Sequence, residues 1–286
     1  MDGADAVRAV VVTGASSGIG EAAALELDRC GFKVFAGVRG PAAAERLAAA
    51  ASTRLAPLEL DVAREESVRA AADAVAGELG EEGVLAGVVN SAGIVVSGPL
   101  EHVSLADFRR QLDVNVVGPL AVVQAFLPLL RRSGGRIVNV GSTSGRIAGP
   151  MIGPYCASKF ALEALTKVMA AELHAQGIRV SLIEPGVVAT PLWKKARAAE
   201  EALAARLRCE DRDRYAAALG VRRRRLRELE DAGEPPGRVA AAIVEALTSR
   251  RPKPRYVVGF RTRLRVAVTL SLPDAWLHRL RARGSG

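Results

Sequence analysis

The chain has 286 residues, of which 49% are hydrophobic and 25% are charged, and its formal net charge is +9. This length corresponds to one large domain or two small ones, and the composition supports a sizeable core, which excludes disordered and collagen-like proteins. The three dispersed cysteines are too few for a disulfide framework, so we expect a reducing, cytoplasmic location.

Short apolar runs alternate with helical patterns through the first two-thirds of the chain. They predict strands at 9–13, 33–38, 54–60, 85–90, 136–140 and 179–183. They also predict helices at 18–29, 41–51, 64–79, 104–132 and 155–176, with glycines at 31, 83, 134–135 and 177 where helices end. Continuous Val, Ile and Leu runs indicate strands buried on both faces. We therefore predict the α/β class, with a doubly wound parallel sheet and helices on both faces.

The pattern changes after residue 190. Residues 193–232 are rich in Ala and Arg and predict one or two amphipathic helices. A helix at 238–248, a strand at 256–258 and a short helix at 274–283 follow. Without repeats or a long linker, the chain is predicted to be one domain. Residues 1–190 would form a cofactor-binding and catalytic core, and residues 191–286 a substrate lid, a last helix and strand, and a basic tail.

A glycine-rich segment follows the first predicted strand and opens the first predicted helix. Its glycines allow a tight turn and a close backbone approach to a pyrophosphate, which the amides at the helix N-terminus would bind. This placement makes the sheet a Rossmann-type domain, although the glycine spacing differs from the common dinucleotide pattern. The candidate cofactor-binding residues in this segment are Gly14, Ser16, Ser17, Gly18, Ile19 and Gly20.

The end of the second strand bears on the choice of coenzyme. An acidic residue there would bind the ribose of NAD, but this chain has Val38 and Arg39. An arginine can pair with a 2′-phosphate, so NADP(H) is favoured and NAD(H) is the alternative. Further candidate cofactor-binding residues stand at the ends of the third and fourth strands, at the ligand edge of a parallel sheet: Asp61, Val62, Asn90, Ala92 and Gly93.

Three later residues have the chemistry of a proton-transfer site. Ser142 ends the fifth strand, and Tyr155 and Lys159 are four residues apart, on one helix face. An ammonium beside a phenol lowers the pKa of the phenol towards working pH, so that Tyr155 could exchange a proton with a carbonyl or an alcohol. Asn115 is a polar residue within the apolar helix 104–132, where it could also satisfy a local carbonyl.

Together these motifs resemble the short-chain dehydrogenase/reductase family over residues 8–192. The resemblance implies that Tyr155 is the acid/base, that Lys159 binds the nicotinamide ribose and lowers the pKa of the tyrosine, and that Ser142 orients the substrate. Asn115 would hold a water in a proton relay with Lys159. Asp61 and Val62 would contact adenine, and Asn90 the cofactor edge. A segment that resembles the family's nicotinamide-binding segment contains Pro185, Gly186, Val188 and Thr190.

The stretches GGRIVNVGSTSGRIAGPMIGPYCASKFALEAL and IEPGVVATPLW resemble the branch that contains retinol and 17-beta-hydroxysteroid dehydrogenases. Gly141 departs from it, because Ser commonly precedes the catalytic Ser. Apolar pocket walls suit a lipophilic secondary alcohol or ketone, steroid-like, retinoid-like or fatty. The candidate wall residues are Ile147, Met151, Ile152, Leu192 and Trp193. The resemblance also implies a homodimer or homotetramer packed through helices 104–132 and 155–176.

The basic C-terminal third leaves other functions open. Residues 191–286 contain 23 basic and 11 acidic residues, against 17 and 20 in residues 1–190. The four-arginine run 222–225 has only Tyr215 as a nearby aromatic residue, so a solvated face or an oligomer contact is favoured over nucleic-acid binding. The tail 260–283 places apolar residues between arginines, which also suits peripheral contact with an anionic membrane. The rival readings are a non-catalytic NADP(H)-binding scaffold or redox sensor, and a membrane or nucleic-acid adaptor. The three dispersed histidines indicate no metal site.

Overall fold

A computed structural model describes residues 8–231, 233–273 and 275–277. Seven parallel strands form one sheet, in the order β3-β2-β1-β4-β5-β6-β7. The strands are β1 (Arg8–Val12), β2 (Lys33–Val38), β3 (Leu55–Glu59), β4 (Val84–Asn90), β5 (Arg136–Val140), β6 (Arg179–Pro185) and β7 (Arg255–Val258). The parallel, doubly wound sheet confirms the predicted fold class. The predicted helix at 274–283 lies almost wholly outside the described residues.

Helices cover both faces of the sheet. They are α1 (Gly18–Arg29), α2 (Pro41–Ala49), α3 (Glu65–Leu79), α4 (Leu105–Leu112), α5 (Gly118–Ser133), α6 (Gly153–Glu172), α7 (Pro191–Arg206), α8 (Cys209–Arg214), α9 (Ala216–Asp231), α10 (Pro236–Thr248) and α11 (Phe260–Ser271). One core cluster joins α1 and α10 to the sheet, and a second joins α3, α5 and α6 to its other face. Because strand side chains alternate between two covered faces, the run Ala9–Val12 of β1 is apolar and buried at every position.

The predicted helix 64–79 is α3, which ends at Leu79; the glycine directly after it is Gly80, with a φ of +61°, and not Gly83. Sequence reasoning was wrong about two details. Strand β3 alternates between buried and exposed residues, because it lies at the edge of the sheet. Residues 191–231 form three helices, not one or two, because tertiary contacts divide a segment whose composition favours helix throughout.

The predicted helix 104–132 is interrupted by a π-helical turn at Asp113–Val117. Among the described residues, the stretch Leu105–Ser133 is the one helical segment long and apolar enough to cross a membrane by length and composition. Its residues Val122, Phe126 and Leu130 are fully buried against the sheet. This packing is that of a core helix.

The strand order reverses between β1 and β4, where the connections leave on opposite faces of the sheet. Parallel strands place their carboxyl ends at one edge, and a crevice for ligands opens where the order reverses. The glycine-rich turn after β1 and the polar residues after β4 therefore meet at this point.

Candidate active site

The glycine-rich turn packs directly against the end of β4. Gly14 has a φ of +67°, and a Cβ atom there would lie 2.6 Å from the Cα atom of Ala92. The hydroxyl of Thr13 accepts hydrogen bonds from the amides of Ser91, at 3.0 Å, and Ala92, at 3.1 Å. Only glycine fits at position 14, so the turn leaves its backbone open to a ligand.

A cavity of about 360 Å³ opens in front of this turn. Twelve of the predicted cofactor-binding residues line it: Gly14, Ser16, Ser17, Gly18, Ile19, Gly20, Arg39, Asp61, Val62, Ala92, Gly93 and Thr190. Asn90 is not among its lining residues. Its amide is buried and donates to the side chain of Asn139 at 2.9 Å. Arg110 and Lys195 add positive charge to the wall, a feature that sequence reasoning missed.

A smaller cavity, of about 70 Å³, adjoins the first one. The two share Ile19, Ser91, Gly93, Ile94, Thr190 and Leu192. Ser142, Tyr155 and Lys159 line this second cavity, as do Pro185, Gly186 and Val188. The residues with candidate proton-transfer chemistry therefore face the end of the space that the coenzyme residues line.

Lys159 and Tyr155 lie on one face of α6, as their spacing predicts. The ammonium of Lys159 donates to the carbonyl oxygen of Val140 at 2.8 Å, and it lies 5.8 Å from the centre of the Tyr155 ring. Burial lowers the pKa of Lys159 to about 8. Burial raises the pKa of Tyr155 to about 12, although a hydrogen bond with Ser142 opposes this shift.

Lys159 is predicted from the sequence to lower the pKa of Tyr155, and this effect stays a prediction. Burial is the largest influence on the pKa of Tyr155 and raises it. The ammonium is directed to the Val140 carbonyl, not to the phenol oxygen. Spacing along a helix fixes which residues share a face, but not where a long side chain ends.

The buried ammonium of Lys159 predicts a pH dependence of stability. Between about pH 8 and 10.5 the unfolded chain binds a proton that the native protein has lost, so the free energy of unfolding should rise with pH by up to about 1.4 kcal/mol per unit. Above pH 10 the raised pKa of Tyr155 opposes this gain. Urea unfolding from pH 7 to 10 measures the effect.

The matched control for this experiment is Lys167, on the same helix but with a side chain that is 66% exposed. Lys159→Met should abolish the rise between pH 8 and 10, whereas Lys167→Met should keep it. Equal pH profiles for the wild type and Lys159→Met would contradict the assignment.

Asn115 holds the segment that follows β4. Its side chain accepts a hydrogen bond from the amide of Ile94 at 2.9 Å and donates to the Ile94 carbonyl at 3.1 Å. Gln111, one turn earlier, accepts from the amide of Val96 at 2.6 Å. Ser158, within 3.1 Å of the Asn115 amide nitrogen, donates to the Tyr155 carbonyl at 2.7 Å. These fully buried amides therefore link the cavity wall to the backbone of Tyr155.

Sequence reasoning missed Gln111 and Ser158. The available signal was the spacing of Gln111, four residues before Asn115 on one helical stretch. The role of Asn115 in a water relay stays a prediction, since its side-chain contacts are with Ile94 and Ser158.

An apolar cluster closes over Tyr155, which is only 6% exposed. It contains Val95, Ile152, Leu192, Trp193, Ala196 and Leu226, so three of the five predicted wall residues belong to it. Met151 packs elsewhere, against Leu207 and Leu219 of the helical segment, and Ile147 belongs to neither described cavity. The helices α7 and α9 thus cover the catalytic candidates with apolar side chains.

The arginine run 222–225 is predicted to be a solvated face or an oligomer contact, but its first residue is buried within the protein. Arg222 is 8% exposed and its Nε lies 3.2 Å from a carboxylate oxygen of Glu200, which is also buried. The buried Arg222–Glu200 ion pair links α9 to α7. Arg223 and Arg224 are exposed.

The family model described as short chain dehydrogenase matches residues 8–201. The chain is 37% identical to retinol dehydrogenase 5 of Mus musculus over 94% of this chain and 84% of that protein. It is 32% identical to the NADPH-dependent 3-dehydrocapnine reductase of Ornithobacterium rhinotracheale over 96% of each. A solved short-chain dehydrogenase/reductase from Burkholderia phymatum, in complex with NAD, matches 96% of each chain with 26% identity and a TM-score of 0.78.

Proposed function

Because this chain belongs to the short-chain dehydrogenase family, we propose that it is an NADP(H)-dependent enzyme that interconverts a lipophilic secondary alcohol and its ketone. Membership of the family makes it an NAD(P)-dependent oxidoreductase that acts on CH–OH or carbonyl groups. The observation that carries the finer proposal is the small cavity lined by Ser142, Tyr155 and Lys159, which opens into the larger, glycine-lined one.

The lining of the larger cavity supports a dinucleotide as its ligand. Gly14 and Gly20 leave the turn without side chains, and a Cβ atom at Gly20 would lie 2.3 Å from the Gly14 carbonyl oxygen. Arg39 is exposed at the wall and supports a 2′-phosphate. The name of the Ornithobacterium relative also supports NADPH, whereas the Burkholderia structure contains NAD, so NAD(H) remains the alternative coenzyme.

The nicotinamide ring, when bound, supplies or accepts the hydride. In the direction of reduction, Tyr155 donates its phenolic proton to the carbonyl oxygen. It is protonated at neutral pH, because burial raises its pKa to about 12. In the direction of oxidation the base is the phenolate of Tyr155, which forms only after the phenol has released its own proton and which then takes the proton of the alcohol. Ser142 donates a hydrogen bond to the same substrate oxygen, and the ammonium of Lys159 stabilises the phenolate that remains.

The apolar cluster over Tyr155 supports a lipophilic substrate. Leu192, Trp193 and Leu226 exclude water from the reacting oxygen and offer no charge to a polar substrate body. The name of the retinol dehydrogenase relative supports the same class. The proposed substrates include steroid-like, retinoid-like and fatty ketones.

Consumption of NADPH in the presence of a panel of such ketones tests the proposed function. Turnover with at least one member, faster than with NADH, supports it. Tight NADPH binding without turnover for every ketone and alcohol tried would favour the rival non-catalytic scaffold or redox sensor.

We also propose that the protein assembles as a homodimer or a homotetramer. Val117, Phe160 and Val168 are 51%, 44% and 51% exposed, respectively, along the helical segments predicted to meet a second copy. Light scattering during size-exclusion chromatography distinguishes the two assemblies from a monomer.

We propose a cytoplasmic location with peripheral contact to anionic membranes through α11. Phe260, Leu264 and Val268 are 79%, 56% and 51% exposed, and their spacing aligns them along one helix face. Arg261 and Arg265 flank them. Such a helix binds anionic bilayers through apolar insertion and charge attraction.

Replacing both Phe260 and Leu264 with Ser should reduce co-sedimentation with vesicles that contain anionic lipid by about tenfold or more, since each side chain contributes buried apolar area. The control variant is Leu105→Ser, which removes a side chain that is 70% exposed on α4. Wild-type protein that remains in the supernatant with anionic and neutral vesicles alike would contradict the membrane contact.

A further inference from the structure

A buried carboxylate lies directly before the segment that is predicted to hold the nicotinamide. Glu184 is the second-to-last residue of β6 and has no exposed surface. It precedes Pro185 and Gly186, which line the smaller cavity. Because a charge is costly to bury unless it is paired, Glu184 depends on cationic partners within the protein.

Two arginines from different segments compensate the charge of Glu184. Arg255 of β7 donates to its Oε1 atom, and Nη1 of Arg146 lies 3.7 Å from its Oε2 atom. Within the described part of the chain, Oε2 accepts no hydrogen bond, so Arg146 is the cation that compensates this oxygen. Burial raises the pKa of Glu184, although the charges of Arg255 and Arg146 oppose this shift. The ionised form of Glu184 therefore depends on both arginines.

The same charged cluster reaches the helix that carries the catalytic candidates. Nη2 of Arg255 lies 2.7 Å from the carboxylate of Glu163, which places a second negative charge beside Glu184. Lys167 pairs with Glu163 at 2.8 Å. Glu163 follows Lys159 by four residues and so lies on the same face of α6. The cluster thus joins β6 and β7 to the catalytic face of α6.

Arg146 belongs to the loop that follows Ser142. The amide of Gly145 donates to the carbonyl of Ser142 at 2.9 Å, and a Cβ atom at Gly145 would lie 2.8 Å from the carbonyl oxygen of Lys159. This close approach holds the loop against α6, directly before Arg146. The Arg146–Glu184 pair therefore connects the loop after Ser142 to the start of the nicotinamide-binding segment.

Stability alone is a weak explanation for a buried ion-pair cluster. The cost of removing the charges from water offsets most of their attraction, and apolar side chains of similar volume often stabilise a fold equally well. The three segments that this cluster connects each contribute residues to the smaller cavity: the loop after β5, helix α6 and residues 185–190. Their relative position determines how the nicotinamide meets the proton-transfer residues.

We propose that Arg146 and Glu184 are positioning residues, whose ion pair holds the nicotinamide-binding segment 185–190 against the loop that carries Ser142. The inference rests on the proposed function, in which the nicotinamide lies beside this segment. Neither residue lines the two described cavities, so each acts through the backbone that it holds in place.

Calorimetric titration of the full chain with NADPH and with 2′-phospho-ADP-ribose, which lacks the nicotinamide, tests the inference. Arg146→Gln should weaken NADPH binding by about tenfold and leave binding of the analogue unchanged, since only NADPH contacts the displaced segment. The variant should fold, because Arg146 is 28% exposed and Glu184 keeps Arg255 as a partner. Arg146→Lys retains the cation and should regain most of the lost affinity.

Glu245→Gln is the matched control. It removes a carboxylate that is 51% exposed and pairs with Lys253 on the surface, and it should change neither affinity. Equal weakening of both ligands by Arg146→Gln would overturn the inference, because the pair would then support only the fold. Unchanged NADPH affinity in that variant would overturn it as well. A wild-type protein that binds neither ligand would instead refute the proposed function.

Discussion

Replacing Tyr155 with Phe should lower coenzyme-linked turnover by about a thousandfold, because it removes the proposed general acid from the reacting oxygen. The substitution deletes one hydroxyl and keeps the ring that packs in the apolar cluster of Val95, Ala196 and Leu226. Coenzyme affinity should therefore remain within a few-fold of wild type. Steady-state rates together with calorimetric coenzyme binding measure both quantities.

Tyr256 provides the control for this substitution. Tyr256 lies on β7 and is 6% exposed, as Tyr155 is. Its hydroxyl accepts a hydrogen bond from the amide of Lys253 at 3.0 Å. Tyr256→Phe should cost some stability and leave turnover nearly unchanged. Equal turnover by Tyr155→Phe and the wild type would assign the proton transfer to another group.

Replacing Arg39 with Asp should change the preference for NADPH over NADH by about a hundredfold or more, since a cation that pairs with the 2′-phosphate becomes an anion that repels it. A carboxylate at the end of β2 can also accept hydrogen bonds from the free ribose hydroxyls of NADH. The ratio of kcat/KM for the two coenzymes gives the effect.

Arg179→Asp makes the same charge change at the first residue of β6. This position lies at the amino ends of the strands, whereas the cavities lie at their carboxyl ends. It should leave the coenzyme ratio unchanged. A ratio that responds equally to both substitutions would point to the overall charge of the protein, and one that responds to neither would remove Arg39 from the coenzyme site.

Local patterns were sufficient to predict most of the fold. The run from Ala9 to Val12 is buried at every position because β1 lies in the middle of the sheet, and such a run is visible in the sequence. The glycine-rich turn was predictable for a similar reason, since the positive φ at Gly14 and its contact with Ala92 exclude every side chain.

Features that depend on distant side chains were not predictable. Gln111 contacts the backbone at Val96 and Arg46 contacts that of Ser16, across loops whose path the sequence does not specify. The division of residues 191–231 into three helices depends on packing such as the buried Glu200–Arg222 pair, because Ala and Arg favour helix throughout. The pKa of Tyr155 depends on its burial and on its hydrogen bond with Ser142.

Transfer of deuterium is the most direct test of the central claim, that this protein moves hydride between NADPH and a lipophilic ketone. The protein is incubated with NADPH that carries deuterium at C4 of the nicotinamide ring, and the product is analysed by mass spectrometry. We expect an alcohol with deuterium on its carbinol carbon, formed by the wild type and not by Tyr155→Phe. Tight binding of NADPH without any labelled alcohol from the whole ketone panel would contradict it.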